Sequence, residues 1–298
     1  MSKPVTSKTA GRVLRTSVED ATLLLKEATE DIRVLHAAGE DGLSLCRLRT
    51  TAVDRSVREI WQAILDELPE SDRLEVGKRV TVVAHGGYAR GEMTPGSDVD
   101  LMLLHDKTGM PEGLAKSPST EPSETVSSND AFAGVASQLL QDLFDAGLEV
   151  GQSVRTVAEA TQLAADDATI FSSLLELRVL AGDAARCQKL VARLRAMAQR
   201  SRRKMARMLV VARREEAKKY GETVYLLQPN VKRSVGGIRD IQLGRWLSFL
   251  ESDRLPFLGA VPLPDGESVI SVDGQRGIKR NRGLSDADAG MLGQCLVF

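Results

Sequence analysis

Residues 85–106, HGGYARGEMTPGSDVDLMLLHD, restrict what this chain can fold into more than any other stretch of its sequence. A short β-branched run over 79–84 leads into the glycine pair Gly86 and Gly87, and a second apolar run follows over 99–104. Short runs of this kind, separated by turn residues, are typical of neighbouring strands. The segment therefore predicts a strand, a turn with a helix, and a second strand.

Two aspartates, Asp98 and Asp100, stand two positions apart where the second predicted strand begins. Alternate residues of a strand project from the same face, so the two carboxylates point together. Mg²⁺ prefers one or two protein carboxylates together with phosphate oxygens and water. The spacing predicts a site for a magnesium-bound nucleoside triphosphate. Spacing alone leaves open the alternative of solvated aspartates on an edge strand after a surface turn.

The glycine pair before the aspartates favours phosphate binding. Because they lack side chains, Gly86 and Gly87 let the backbone approach a phosphate closely, and a helix starting after them would direct its N–H groups at the anion. Arg90 is placed for a bidentate phosphate contact. Ser97 could donate to a phosphate oxygen or cap the turn beside it, and His85 is interpreted as a local hydrogen-bonding group. Together these residues predict a triphosphate site.

The chain as a whole predicts an α+β fold in three regions. Residues 1–70 have apolar side chains at helical spacing and form an N-terminal helical region. The core, 71–156, adds an amphipathic helix over 132–144 and a third strand over 148–154 to the two strands already described. Residues 157–298 follow a mainly helical pattern. A small mixed sheet with helices is therefore expected, with a helical region on either side in sequence.

Four further segments carry expectations of their own. Residues 107–129 are rich in Ser, Pro, Thr and Glu and cannot bury a core, which predicts a surface loop. The run over 168–182 is interpreted as helical, and 184–220 as one long charged helix. Residues 285–298 begin as a helix but reach the end of the sequence without a C-cap, so the helical region is expected to be truncated.

Composition and cysteine usage set the cellular context. The formal net charge is −1, and Cys46, Cys187 and Cys295 are far apart, odd in number and without metal-ligand spacing. That usage fits a reducing compartment better than a disulfide framework. The sequence has neither an N-terminal apolar region nor about 18 consecutive apolar residues. A cytoplasmic protein without a membrane partner is expected.

Three sequence blocks resemble a known family. GGYARGEMTPGSDVDLMLL, over 86–104, is similar to the signature of the polymerase-β-like nucleotidyltransferase superfamily, in the version found in PII uridylyltransferases. AGLEVGQSVRT, over 146–156, and LQPNVKRSVGGIRDIQLGRWL, over 227–247, resemble two further motifs of that family in the same order. The resemblance implies transfer of UMP from UTP to a tyrosine hydroxyl of the PII nitrogen-signalling protein, with Mg²⁺ bound and pyrophosphate released.

The resemblance also assigns expected roles to residues. Asp98 and Asp100 would hold the catalytic magnesium, and a third carboxylate on a neighbouring strand, for which Glu149 is the candidate, would complete a two-metal site or accept a proton. The alternative for Glu149 is an exposed strand residue. In the third block, Lys232 and Arg239 stand near a Gly-Gly pair and could contribute to the nucleotide cleft.

Two alternatives accompany the uridylyltransferase expectation. Basic residues over 186–219 favour a transferase of the same fold that acts on RNA or a small molecule, although aromatic side chains for base stacking are absent there. Apolar residues at helical spacing favour a packed helix with a solvated charged face instead, so no nucleic-acid partner is expected. The other alternative is a truncated fragment that binds nucleotide without turnover, because the family's uridylyl-removing and glutamine-sensing domains are not found after the third block.

Overall fold

The computed structural model describes residues 14–106, 130–220, 228 and 230–252. Within these ranges the chain forms helices and four strands, which occur in the following order: α1 Thr16–Ala37, α2 Gly42–Asp66, α3 Glu70–Arg79, β1 Val80–His85, α4 Gly86–Ala89, β2 Val99–His105, α5 Asp130–Asp145, β3 Val150–Thr156, α6 Val157–Asp166, α7 Ala168–Leu174, β4 Leu177–Gly182, α8 Ala184–Arg200, α9 Arg202–Tyr220 and α10 Ile238–Ser252.

The four strands form one mixed sheet in the order β3-β2-β1-β4. Strand β1 runs antiparallel to both β2 and β4, whereas β2 and β3 are parallel. The parallel register places Asp100 directly opposite Gly151. The predicted α+β fold, a small mixed sheet with helices, is confirmed.

Helices cover both faces of the sheet, because the central strands are apolar on both sides. Val82 and Leu103 pack into the core formed with α1, α2 and α5. Val83 and Met102, their neighbours in sequence, pack into the second core, which the helices α6 to α10 complete. Successive side chains of a strand alternate between faces, so a continuous apolar run reports burial on both.

The first three strands and α5 lie within two residues of their predicted bounds, whereas α3 was not predicted. The prediction of a helix over 168–182 is wrong beyond Leu174, since Leu177–Gly182 is strand β4. Pairing with β1 stabilises this segment as a strand, and Gly182 has a φ of 87° where an added Cβ would lie 2.2 Å from the Val80 carbonyl oxygen. The expected long helix over 184–220 is two helices, α8 and α9, separated at Ser201.

Strand β4 joins the sheet from beyond residue 156, where only helices were expected, although the division into 1–70, 71–156 and 157–298 stays a prediction. The expected loop over 107–129 and the expected helix over 285–298 lie outside the described residues.

Helices α8 and α9 contain the basic run of the sequence. Their apolar side chains Leu190, Leu194, Met205 and Leu209 are buried in the second core, as expected for packed helices with a charged outer face. In the described part of the chain, none of the helices combines the length and apolar content that spanning a membrane would need.

Candidate active site

The glycine turn, Gly86 and Gly87, brings the end of β1 against the start of β2. Gly86 has a φ of 60°, in the left-handed region that favours glycine. A Cβ added there would lie 3.3 Å from both the Oδ2 atom of Asp100 and the Oγ atom of Ser173. The turn therefore lies beside Asp100, without intervening packed structure. The helix that follows it, α4, is a single turn, so the helix dipole expected at this site is small.

Hydrogen bonds from strand β4 and from Glu176, the residue before it, hold the two ends of this turn. The Gly86 N–H donates to the Glu176 carbonyl oxygen over 3.1 Å, which fixes the beginning of the turn. At its end, the buried Arg178 donates to the carbonyl oxygens of Tyr88, over 3.1 Å, and Ala89, over 3.2 Å. The position of the turn thus depends on a strand that joins the sheet from later in the chain.

The counter-ion of Arg178 comes from helix α2. Arg178 donates to both carboxylate oxygens of Asp54, over 2.9 Å to Oδ1, and each side chain is 2% exposed. Hydrogen bonding to Asp54 and its negative charge raise the pKa of Arg178 against the opposing effect of burial. The N-terminal helices therefore contribute directly to the framework of the site.

The two aspartates of the predicted metal site both line one cleft. Asp98 is exposed at the start of β2, whereas Asp100 is half-buried, and a Cβ on Gly151 would lie 3.1 Å from its Oδ1 atom. Burial and the negative charge of Asp98 raise the pKa of Asp100. Within the described ranges, neither carboxylate forms an ion pair with a protein side chain. Neighbouring carboxylates that form no ion pair with the protein suit a bound divalent cation.

Lys232 and Arg239 also line the cleft and are here called the basic wall. Both positive charges act on Asp100 and oppose the rise of its pKa. Partial burial lowers the pKa of Lys232, as do the positive charges of its arginine neighbours, whereas the charge of Asp100 raises it. Burial likewise lowers the pKa of Arg239. Neighbouring cations that line a cleft favour an anionic ligand beside them.

Buried Arg213 of α9 positions the loop that carries Lys232. Its guanidinium donates to the carbonyl oxygens of Arg233 and Ser234, both over 2.9 Å, and to Oδ1 of Asp240 over 2.6 Å. Asp240 in turn accepts from the Gly236 N–H over 2.6 Å. Because Arg213 binds two carbonyl groups of this loop and the first turn of α10, the basic wall is fixed before any ligand enters.

Arg90 lines the cleft, but its guanidinium is already paired. The side chain is 6% exposed, with one ion pair to Glu92 at 2.6 Å and another to Glu176. Glu176 also accepts from Nε1 of Trp246, over 3.1 Å, and so links Arg90 to helix α10. The phosphate contact expected of Arg90 stays a prediction, and in this structure the residue joins the glycine turn to α10.

A third side of the cleft is formed by Thr169, Ser172 and Ser173 of helix α7, here called the hydroxyl wall. Ser173 Oγ lies 2.7 Å from Nδ1 of His85. Burial, together with the charge of Arg155, lowers the pKa of His85 to about 4, so this histidine is neutral at neutral pH. That arrangement agrees with the interpretation of His85 as a local hydrogen-bonding group.

The cleft between these walls has a volume of about 630 Å³. Sites for small molecules and cofactors are typically about 300–1,000 Å³ in volume, so a nucleoside triphosphate fits. Six of the seven site residues predicted from the sequence line this cleft, namely Gly86, Gly87, Arg90, Ser97, Asp98 and Asp100.

Ser97 lines the cleft and caps a turn, whereas Glu149 does not line the cleft. The Ser97 hydroxyl lies 3.0 Å from the Thr94 amide nitrogen and 2.8 Å from its hydroxyl, as expected for a turn cap. Glu149 is exposed and is not among the residues that line the cleft, although its carbonyl accepts from the Val99 N–H over 2.7 Å. The described residues contain no cluster of three or more carboxylate, histidine or cysteine side chains suited to a metal ion. The catalytic role of Glu149 stays a prediction.

Sequence reasoning missed Glu176, Ser173 and Trp246. The first two stand in or beside a stretch whose local pattern is helical, and nothing in that pattern marks them as part of a site. Trp246 lies in the third sequence block, but its contact with Glu176 depends on the packing of α10.

The fold and the cleft define a class, the nucleotidyltransferase-domain proteins, and residues 59–123 match the family model described as the nucleotidyltransferase domain. Residues 195–298 match a second model, described as GlnD PII-uridylyltransferase. Together with the relatives below, these matches show that the chain belongs to the PII-uridylyltransferase family.

Curated relatives agree with both family models. The chain is 31% identical over 239 residues to the bifunctional uridylyltransferase/uridylyl-removing enzyme of Aromatoleum aromaticum. The aligned residues make up 79% of this chain and 24% of that protein. The proteins of the same name from Nitrosococcus oceani and Cupriavidus metallidurans are 32% and 36% identical, over 75% and 68% of this chain and 22% and 20% of their own lengths. The chain thus spans about a fifth to a quarter of the relatives it matches.

Proposed function

We propose that this chain transfers UMP from UTP to a tyrosine hydroxyl of a PII nitrogen-regulatory protein and releases pyrophosphate. The observation that carries the proposal is the position of Asp98 and Asp100, which line a cleft of nucleotide size next to a glycine turn and together with two cations. The proposed reaction, uridylyl transfer, and the proposed acceptor, PII, are taken from the names of the family model and of the curated relatives.

Asp98 and Asp100 would hold Mg²⁺, since they line the cleft together and, within the described residues, neither forms an ion pair with a protein side chain. Bound magnesium would offset the negative charge of the phosphates and polarise the phosphorus that is attacked. Because the site consists of hard oxygen donors, magnesium fits it better than a softer transition metal.

The protein's own groups would bind and orient the triphosphate. Lys232 and Arg239 neutralise phosphate charge from the basic wall, and the backbone at Gly86 and Gly87 approaches the same phosphates closely. In the reaction, the tyrosine oxygen forms a bond to the α-phosphorus of UTP. The bond between the α-phosphorus and the oxygen that bridges the α- and β-phosphates breaks, and pyrophosphate leaves. Glu149 remains the candidate for the carboxylate that accepts the tyrosine proton.

A second candidate activity, transfer to RNA, is favoured by one observation. Arg202, Arg203, Lys204 and Arg207 are exposed together at the start of α9, where Lys204 pairs with Asp166 at 2.9 Å. Such a group of cations could contact phosphates. We favour the protein acceptor because the family model names PII. The buried free thiols of Cys46 and Cys187 suit a cytoplasmic location.

Acceptor labelling tests the proposed reaction. The chain would be incubated with Mg²⁺ and UTP labelled at the α-phosphate, in the presence of PII, a PII variant with the acceptor tyrosine replaced by phenylalanine, or RNA. We expect label on wild-type PII, one pyrophosphate per label, and none on the phenylalanine variant or RNA. Label on RNA alone would favour the second candidate, and no label on any acceptor would contradict transferase activity of this chain.

A further inference from the structure

Several hydrogen-bond donors at the start of α7 are already used within the protein. The carboxylate of Asp167 accepts from the backbone N–H groups of Thr169, over 2.7 Å, and Ile170, over 2.9 Å, so the first amides of α7 are capped. The hydroxyl of Ser172 donates to the Thr169 carbonyl oxygen over 3.1 Å. The Ser172 hydroxyl therefore offers a ligand oxygen lone pairs rather than a hydrogen.

Ser173 follows the same pattern through His85. A neutral imidazole has one N–H donor and one bare acceptor nitrogen. In either tautomer of His85, the 2.7 Å contact between its Nδ1 atom and Ser173 Oγ leaves the serine oxygen at least one free lone pair. Both residues line the cleft, so a ligand there can donate a hydrogen bond to Ser173.

The basic wall has the reverse character. Lys232 and Arg239 present only donors and positive charge. Phosphate groups accept hydrogen bonds and carry negative charge, whereas ribose hydroxyls can donate. A nucleoside triphosphate would satisfy both sides in one orientation, with its phosphates against the basic wall and its ribose against the hydroxyl wall.

The distance of Ser173 from the aspartates suits this orientation. Ser173 Oγ and Asp100 Oδ2 each lie 3.3 Å from the position that a Cβ on Gly86 would take. Ribose is joined to the α-phosphate, the group on which the proposed reaction takes place, so it has to lie close to the carboxylates that would hold the metal.

We propose that Ser173 is a ribose-binding residue, which accepts a hydrogen bond from a ribose hydroxyl of the nucleotide and selects ribonucleotides over deoxyribonucleotides. This inference rests on the proposed function, because it assumes that the cleft binds a nucleoside triphosphate. It adds the orientation of the nucleotide and a residue that recognises its sugar.

Calorimetric titration with Mg²⁺ and four ligands tests this assignment: UTP, 2′-deoxy-UTP, 3′-deoxy-UTP and inorganic tripolyphosphate. The wild-type chain should bind UTP about tenfold more tightly than at least one deoxy analogue, as the loss of one hydrogen bond predicts. Ser173→Ala should weaken UTP binding to the level of that analogue and leave tripolyphosphate binding unchanged. As a matched control on the basic wall, Lys232→Met should weaken all four ligands.

The outcomes separate this inference from the proposed function. Equal binding of UTP and both deoxy analogues to the wild-type chain would overturn the role of Ser173, and this comparison needs no variant to fold. Equal weakening of UTP and tripolyphosphate by Ser173→Ala would overturn it as well. If the wild-type chain binds none of the four ligands, the proposed function fails and the inference fails with it.

Discussion

Asp100→Asn is expected to lower kcat for uridylyl transfer by about 10³-fold, since a lost metal contact removes several kcal/mol of transition-state stabilisation. The variant should fold normally, because asparagine has the same shape. It should also unfold at the same or a slightly higher temperature, since burial and Asp98 disfavour the charge on Asp100. Single-turnover transfer from labelled UTP and thermal unfolding measure the two effects.

Asp166→Asn is a matched control for this substitution. Asp166 is an exposed carboxylate at the end of α6 that pairs with Lys204, and it does not line the cleft. Its loss should leave kcat unchanged within about twofold, because exposed ion pairs contribute little. Retention of activity within tenfold in Asp100→Asn would exclude this aspartate as an essential metal ligand.

Asp54→Ala is expected to lower the free energy of unfolding by about 3–5 kcal/mol. The substitution leaves the Arg178 guanidinium buried, 2% exposed, without its counter-ion. Activity should fall as well, because Arg178 also holds the Tyr88 and Ala89 carbonyl oxygens at the end of the glycine turn. Urea denaturation, followed by circular dichroism, measures the stability change.

Two comparisons sharpen this second prediction. Replacing both partners, in Asp54→Ala with Arg178→Met, should recover part of the lost stability because no buried charge remains. Glu30→Ala removes a partner of the exposed Arg33 on α1 and should leave the unfolding midpoint unchanged within error. If Asp54→Ala unfolds at the same urea concentration as Glu30→Ala, the buried pair does not stabilise the fold as argued here.

The local parts of the cleft could be predicted from the sequence. The spacing of Asp98 and Asp100 predicts that the two carboxylates point together, and Gly86 predicts a tight turn. Neither prediction needs knowledge of distant contacts. The apolar runs over 79–84 and 99–104 similarly predicted β1 and β2, because strands buried on both faces have continuous apolar sequences.

Contacts between distant segments could not be predicted in this way. Strand β4 has a helix-compatible local sequence and is stabilised as a strand by pairing with β1, so Glu176 was not recognised as an anchor of the glycine turn. Arg90 has the spacing of a phosphate ligand, but its pairing with Glu92 and Glu176 follows from how β4 and α10 pack.

The proposed reaction requires that a metal-bound triphosphate binds between the two aspartates and the glycine turn. Thermal unfolding with increasing UTP, with and without Mg²⁺, tests this in the wild-type chain and in Asp98→Asn. Ligand at 100 times its dissociation constant should stabilise the folded state by about 2.7 kcal/mol. We predict that UTP raises the unfolding temperature of the wild-type chain only with Mg²⁺ and has little effect on Asp98→Asn; equal, magnesium-independent shifts in both proteins would contradict the account.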